Sequence, residues 1–266
     1  MARTYIESLE NRSHLSGTFE VSGLGTTYVG RIKIEVEIGT VTITGTKGPD
    51  VIDAKVVSGK NASTLEVNGK KVTVPARFHS FIMKGMLGKD DMTLNTRGFL
   101  RNETLTLIYG DDPDNYEVGS ADTIRGYFDG EGLIEAGAGD DFVTGIGQPA
   151  TGFGRVVNFN GGSGNDVILG TSGDDILTGG TGKNKIYGLG GNDILVSEGG
   201  FDELWGGAGD DQLFTTANYL TTGPTVSGLF RGGPGIDLVV VYDVIDPSIL
   251  DYLDTRTVED IYFTFG

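Results

Sequence analysis

The stretch from Gly161 to Gly180 reads GGSGNDVILGTSGDDILTGG and repeats a nine-residue unit of glycines, one aspartate and one aliphatic residue. Six such units run without a break over residues 161–214: GGSGNDVIL, GTSGDDILT, GGTGKNKIY, GLGGNDILV, SEGGFDELW and GGAGDDQLF. A helix does not tolerate this density of glycine. A fixed period predicts a stacked architecture in which each unit buries its apolar residue against neighbouring units.

Each unit divides into a six-residue turn and a three-residue strand. Glycine at the first, second and fourth positions permits backbone angles that other residues avoid. We expect two units to complete one coil, so that units 18 residues apart stack in register and their strands pair in parallel. The aliphatic eighth position is predicted to point inward: Ile168, Leu177, Ile186, Leu195, Leu204 and Leu213. A flexible glycine-rich linker would not keep this position in phase.

The sixth position carries the chemistry. It is occupied by Asp166, Asp175, Asp193, Asp202 and Asp211, and by Asn184 as a weaker, neutral member. Stacked carboxylates repel one another unless a cation neutralises them. The turn glycines expose carbonyl oxygens, and the candidate ligands among them are Gly162, Gly164, Gly173, Gly191, Gly207 and Gly209. Oxygen ligands without nitrogen or sulfur favour calcium, with several ions per chain.

Isolated copies of the unit lie outside the array. AGAGDDFVT covers 136–144, GGPGIDLVV covers 232–240, and GTKGPDVID covers 45–53 with a match at only four positions. These copies add Asp141 and Asp237 to the candidate ligands, with Asp50 as a weaker candidate.

The pattern resembles the repeats-in-toxin (RTX) family of hemolysin-type calcium-binding nonapeptide repeats, whose unit is GGxGxDxUx with a large aliphatic residue at U. The resemblance implies an all-β fold: a parallel β-roll, or right-handed β-solenoid, with calcium between successive turns on each side. It also implies type I secretion through a C-terminal signal. That route would explain why the first residues, MARTYIESLENRSHLSG, lack the apolar core of a signal peptide.

Alternate units are predicted to face opposite sides of the roll. Side one holds the units that begin at 161, 179 and 197, and side two holds those that begin at 170, 188 and 206. We expect occupied calcium sites between Asp175 and Asp193 and between Asp193 and Asp211. Side one is expected to be partial or empty around Asn184, because Lys183 and Lys185 flank this neutral residue.

Two inserts, 145–160 and 215–231, interrupt the array. Each is close to 18 residues long and could form one degenerate coil or a loop that leaves the roll. On that length, Asp141 is predicted to join side two and Asp237 to join side one.

Three regions are predicted. Residues 1–109 form a β-rich N-terminal region, separate from the solenoid or continuous with it, and 110–240 form the calcium-binding roll. Residues 241–266 form a C-terminal cap and secretion signal. The Phe/Met-rich segment 75–105 interrupts the first region, as a short helix or lid over the end of the roll or as a contact patch. The patch would comprise Phe81, Ile82, Met83, Met86 and Leu87.

Composition excludes several classes of function. A formal net charge of −17 argues against nucleic acid as a partner. The chain has no cysteine and only two histidines, which disfavours a zinc site. The sequence contains no run of about 18 apolar residues, so it predicts no membrane span. No nucleophile elbow, zinc-protease helix or phosphate-binding loop occurs, so an enzyme is disfavoured.

The leading hypothesis is therefore a secreted, calcium-binding structural protein that self-assembles into a surface layer, sheath or filament. One alternative is an extracellular adhesin or matrix protein that binds a cell-surface glycan or another surface through the inserts. Another is a small enzyme that acts on an extracellular polysaccharide.

Overall fold

The computed structural model describes residues 19–20, 25–37, 39–57, 62–75, 80–95, 105–113, 119–127, 132–146, 157–198, 201–216, 218–220, 223–225, 227–242, 253–254, 258 and 260–263. All regular secondary structure in these ranges is β-strand. They contain no helix with the length and apolarity that crossing a membrane would require.

The strands, numbered in chain order, form two sheets of twelve strands and one small hairpin. The first sheet contains, in spatial order, β1 (Phe19–Glu20), β7 (Lys70–Pro75), β6 (Ala62–Val67), β5 (Val51–Val57), β9 (Asp91–Asn95), β11 (Thr123–Tyr127), β13 (Phe142–Gly145), β15 (Val167–Leu169), β17 (Lys185–Gly190), β19 (Phe201–Ala208), β23 (Ser227–Arg231) and β25 (Leu253–Asp254). The second contains β2 (Gly25–Val29), β3 (Ile32–Glu37), β4 (Thr40–Thr44), β8 (Ser80–Lys84), β10 (Leu105–Tyr109), β12 (Gly132–Ala138), β14 (Val157–Ser163), β16 (Asp175–Thr181), β18 (Ile194–Ser197), β20 (Gln212–Thr216), β24 (Leu238–Tyr242) and β26 (Asp260–Phe263). The hairpin is β21 (Asn218–Leu220) with β22 (Gly223–Thr225).

From β8 onward the chain alternates between the two sheets, apart from the small hairpin, so each coil contributes one strand to each. Within the array the register advances by 18 residues: Ile168 pairs with Ile186 in the first sheet, and Leu177 pairs with Leu195 in the second. These pairings are parallel. The predicted all-β parallel roll is therefore confirmed, because two nine-residue units complete each coil.

The core is a thin apolar stack between the two sheets. All six aliphatic residues at the eighth position of the array are fully buried. The same row continues N-terminally in the first sheet through Val143, Ile124, Met92 and Ile52, each in register with the next. Burying a side chain of this size stabilises the fold by about 1.5–3 kcal/mol, but only when coils cover it on both sides.

The N-terminal strands belong to the same two sheets. Antiparallel hairpins begin each sheet, with β2–β3–β4 in the second and β5–β6–β7 in the first. The roll's parallel pairing joins these hairpins between β4 and β8 and between β5 and β9, and β1 pairs in parallel with β7 at the outer edge of the first sheet. The strands on both sides of residue 109 therefore lie in continuous sheets.

The Phe/Met-rich segment forms a coil of the roll where the structure describes it. Its residues 80–84 and 91–95 are strands, so the expectation of a short helix or lid is wrong for this part. Phe81 and Met83 are fully buried, which leaves no contact patch at these two side chains. The alternation of SFIMK puts every second residue on the core face, with burial pattern iBiBi. Residues 76–79 and 96–104 lie outside the described ranges.

Candidate metal centre

The sixth-position residues form two columns, one along each edge of the roll where the chain passes between the sheets. In each column the backbone N–H donates to the side-chain Oδ1 of the corresponding residue one coil further on, at 2.6–2.9 Å. The first column is Asp50, Asp90, Asp122, Asp141, Asp166, Asn184 and Asp202. The second column is Asp175, Asp193, Asp211 and Asp237.

The predicted sides of Asp141 and Asp237 were wrong. Asp141 stacks on Asp166 in the first column, and Asp237 stacks on Asp211 in the second. The separations are 25 and 26 residues, compared with 18 within the array. Each insert therefore lengthens one half of a single coil and does not add a coil. Residues 147–156 of the first insert lie outside the described part of the chain.

Glycine is required in the turns because neighbouring coils approach closely. Gly162, Gly164, Gly191, Gly207 and Gly209 all have φ between 100° and 142°. A Cβ on Gly164 would clash with the carbonyl oxygen of Gly139 in the neighbouring coil. Among the candidate ligand glycines, Gly173 alone has no positive φ, so its turn has a different shape.

This crowding predicts a large steric effect for Gly164→Ala. We expect it to lower the free energy of unfolding by about 3 kcal/mol or more, since both the backbone angle and the Cβ are unfavourable. Gly48 is a matched control: it is also at the fourth position, but a Cβ there would meet no atom within 4 Å. Thermal unfolding of the two variants compares them, and equal destabilisation would contradict the steric explanation.

The second carboxylate oxygen separates two classes of aspartate. In one class Oδ2 is buried and accepts no hydrogen bond within the described part of the chain: Asp90, Asp122, Asp141, Asp166, Asp193 and Asp211. Leaving a buried carboxylate oxygen without a partner is costly, so each of these atoms is a candidate ligand for a cation.

In the other class a hydroxyl group or a backbone N–H reaches Oδ2. The Thr171 backbone donates to Asp175, and both the backbone and the hydroxyl of Thr46 donate to Asp50. The Ser197 hydroxyl donates to Asp202 at 2.5 Å. These three carboxylates already have partners for both oxygens. Their turns are called closed below, and the turns of the six aspartates in the first class are called open.

Backbone carbonyl oxygens lie beside the open carboxylates. A Cβ added to Gly161 would lie 2.5 Å from Oδ2 of Asp166 and 2.7 Å from the carbonyl oxygen of Gly179, so these two oxygens converge. Asp193 Oδ2 and the carbonyl of Gly206 converge in the same way beside Gly188. Among the described residues no group of three or more His, Cys, Asp or Glu could hold a metal ion, so carbonyls must supply further ligands.

Four of the buried carboxyls hold a proton at near-neutral pH when no cation neutralises them. Burial is the main cause that raises the pKa of Asp122, Asp141 and Asp193 to about 8, and that of Asp90 to about 7. Neighbouring aspartates raise these pKa values further. The hydrogen bonds from the backbone of one coil to the Oδ1 atoms of the next, called the ladder below, offset part of the rise. A divalent cation favours the ionised carboxylate, so it would compete with protons here.

Asn184 fits the ladder but not a cation. Its Oδ1 accepts the Asp166 N–H at 2.9 Å, as an aspartate would. Its Nδ2 donates to the carbonyl oxygen of Gly180 at 3.2 Å. The amide thus occupies a turn carbonyl that a cation would otherwise bind.

A second, exposed ladder of hydrogen bonds runs along the fifth position of the units, and the sequence analysis did not predict it. The backbone N–H of Asn165 donates to Asp140 Oδ1 at 2.7 Å, and that of Lys183 donates to Asn165 Oδ1 at 3.0 Å. Asp174, Asn192 and Asp210 continue this pattern on the other edge. These side chains link coils in the direction opposite to the sixth-position ladder.

Three buried aspartates were also missed: Asp90, Asp111 and Asp122. The signal for Asp90 was present, because GMLGKDDMT (85–93) has glycine at the first and fourth positions, aspartate at the sixth and a buried methionine at the eighth. The repeat pattern did not identify Asp122, because residues inserted after Gly110 separate this aspartate from the start of its turn. The ladder position belongs to Asp122 and not to the sixth residue of GDDPDNYEV, which lies outside the described residues.

Residues 160–195 and 187–217 match the family model described as RTX calcium-binding nonapeptide repeat, in four copies. The chain carries RTX repeats. A comparison with curated proteins gives no match. The matched RTX residues include parts of both columns, from Asp166 to Asp211. Such repeats bind calcium, occur typically in proteins exported by type I secretion, and are generally structural and not catalytic.

Proposed function

We propose that the chain is a secreted structural protein that folds when calcium fills the open turns of its two columns outside the cell. The observation that carries this proposal is the set of six buried Oδ2 atoms without a hydrogen-bond partner. One ion per open turn would neutralise the carboxylates and let the coils stack.

The donor set of the open turns fits calcium. Each turn offers carboxylate and carbonyl oxygens, which are the ligands that a hard cation prefers. Asp166, Asp193 and Asp211 would hold ions within the RTX match. Asp90, Asp122 and Asp141 would hold ions in the N-terminal coils, because the same unpartnered oxygens occur there. Asp237 would contribute at the end of the second column.

Secretion is proposed because RTX repeats typically occur in secreted proteins. In calcium-poor cytoplasm the ionised columns would oppose folding and leave an exportable chain. Millimolar calcium outside the cell would convert binding free energy into folding free energy. The C-terminal segment 241–266 is the proposed export signal, and most of it lies outside the described residues.

Self-assembly is the proposed role of the folded roll. Within the described residues both sheets end in edge strands, β1 and β2 at one end and β25 and β26 at the other. An open sheet edge can pair with another chain. Different edges at the two ends would give a head-to-tail contact that does not close, which produces a filament or layer.

An adhesin is the second candidate. The insert 215–231 contains the β21–β22 hairpin, which pairs with neither sheet of the roll. An element outside both sheets is a suitable place to bind a glycan or another surface.

A calcium titration of chelator-treated protein tests the leading proposal. We expect β-structure, measured by far-UV circular dichroism, and mass, measured by light scattering, to rise together as calcium reaches millimolar concentration. Magnesium at the same concentration is the control, because it demands a smaller octahedral site. A monomer that gains β-structure would contradict self-assembly and favour the adhesin, which glycan binding would then test. A chain that binds no calcium would contradict the whole proposal.

A further inference from the structure

The residue at the second position of each turn takes one of two backbone conformations. Its φ is positive in seven turns of the two columns: at Met86, Gly137, Gly162, Gly180, Leu189, Gly207 and Gly233. Thr46 and Thr171 occupy the same position and have no positive φ. A β-branched residue strongly avoids positive φ, so threonine forces the other conformation.

The threonine conformation closes the turn on its own aspartate. In the GTSGDD turn the backbone N–H of Thr171 donates to Asp175 Oδ2 at 2.5 Å, and its hydroxyl donates to Oδ1 at 3.1 Å. The hydroxyl also accepts the N–H of Gly173 at 3.1 Å, which fixes the turn. The GTKGPD turn repeats this arrangement, with Thr46 donating to Asp50 through both its N–H and its hydroxyl.

The carbonyl half of an ion site is nevertheless present beside Asp175. A Cβ added to Gly170 would lie 2.7 Å from both Asp175 Oδ2 and the carbonyl oxygen of Gly188. This is the geometry found beside Gly161 in the open turn of Asp166. The difference between the two turns is therefore threonine in place of glycine at the second position.

The closed turns lie at the ends of the columns. Asp50 begins the first column and Asp175 begins the second. Asp202, which accepts the hydroxyl of Ser197, is the last residue of the first column within the described residues. Asp50 has an additional partner, because the guanidinium of Arg31 lies 3.6 Å from its Oδ1 and supplies a positive charge. The coils of Asp175 and Asp202 are not at the ends of the roll, because β16 pairs with both β14 and β18, and β19 pairs with both β17 and β23. Only the row of aspartates begins at Asp175, since Val157 occupies its place in register on the preceding strand.

We infer that threonine at the second position excludes calcium from a turn, and that Thr46 and Thr171 begin the two aspartate columns with hydrogen bonds in place of an ion. Asp50 and Asp175 are then hydrogen-bond acceptors that support the ladder and not calcium ligands. This revises the expectation of an occupied site between Asp175 and Asp193. It rests on the proposed calcium binding by the open turns.

The test counts calcium ions per chain by isothermal titration and native mass spectrometry. Thr171→Gly, which restores the GGSGDD sequence, is expected to bind one ion more than the wild type, whereas Asp175→Asn is expected to bind the same number. Thr171→Val is the matched control: it keeps the β-branch, and therefore the backbone conformation, but loses the hydroxyl. We expect no additional ion in this variant.

A second readout does not depend on bound calcium. In chelator, Thr171→Gly is expected to unfold at lower temperature than the wild type, because the buried Asp175 loses its hydroxyl partner. Loss of an ion in Asp175→Asn, or an unchanged count in a folded Thr171→Gly, would overturn the inference. Thr46→Gly replaces Thr171→Gly if the latter does not fold. A wild type that binds no calcium would instead overturn the proposed function, so the two failures are distinguishable.

Discussion

Replacing Asp193 with asparagine is expected to destabilise the protein in calcium and to stabilise it in chelator. In calcium at pH 8, Asp193→Asn should bind at least one ion fewer per chain and lose on the order of 3 kcal/mol of unfolding free energy. In chelator at the same pH its unfolding temperature should exceed that of the wild type. The opposite signs distinguish an ion ligand from a carboxylate that only links coils.

The physical reason is that asparagine preserves the ladder and removes the charge. Its Oδ1 can still accept the Asp175 N–H, which Asp193 Oδ1 now accepts at 2.8 Å. Asn184 demonstrates this in the native chain, where the amide accepts one ladder bond and donates to a turn carbonyl. In the metal-free wild type, burial raises the pKa of Asp193 to about 8, so ionisation at that pH opposes folding.

Asp202→Asn is the matched control. Asp202 has the same position in its turn, but the Ser197 hydroxyl donates to its Oδ2. We expect this variant to keep its calcium count, since no ion is required at that oxygen. Both variants are measured by isothermal titration and by thermal unfolding with and without calcium. Equal losses of calcium from the two would contradict the division into open and closed turns.

The roll itself could be read from the sequence because its period is short and strict. Ile168, Ile186 and Leu204 stack at 18-residue intervals, and their spacing alone fixes the register. The aspartates follow the same spacing, so the columns within the array were also predictable. Asp141 and Asp237 were placed on the wrong sides because the length of an insert does not show how much of it leaves the coil.

The chemistry of individual turns was less accessible. Glycine and threonine at the second position look like conservative variants in GGxGxD and GTxGxD, yet the β-branch changes the sign of φ and turns the N–H towards Asp175. The N-terminal coils were hidden for another reason. Their units are separated by hairpins and by the insertion before Asp122, so no fixed period links Asp50, Asp90 and Asp122.

Without calcium, the folded protein is expected to be more stable at pH 5 than at pH 8. Burial raises the pKa of Asp122, Asp141 and Asp193 from about 3.8 to about 8, so the folded state binds protons more tightly than the unfolded state. The stability contributed by these protonated carboxyls is complete below the unfolded value and is lost as the pH rises through the folded value. The window therefore extends from about pH 4 to about pH 8.

The measurement is thermal unfolding by circular dichroism in calcium-free buffer at pH 5, 6.5 and 8. We expect the midpoint to fall by about 10 °C or more across this range, since about 1 kcal/mol shifts the midpoint of a domain of this size by about 2–4 °C. Asp141→Asn and Asp193→Asn should each flatten the dependence. A midpoint that is constant or rises with pH in the wild type would contradict the assignment.

Saturating calcium should reverse this dependence, because an ion requires the same carboxyls in their deprotonated form. Protons and calcium thus stabilise the columns as competitors, with protons more effective at pH 5 and calcium at pH 8. Near neutral pH the carboxyls with a pKa of about 8 are partly ionised, and neither ligand is sufficient unless calcium is abundant. A fold that depends on calcium at that pH would stay unfolded where calcium is scarce and form where calcium is plentiful, which is the behaviour that the proposed secretion needs.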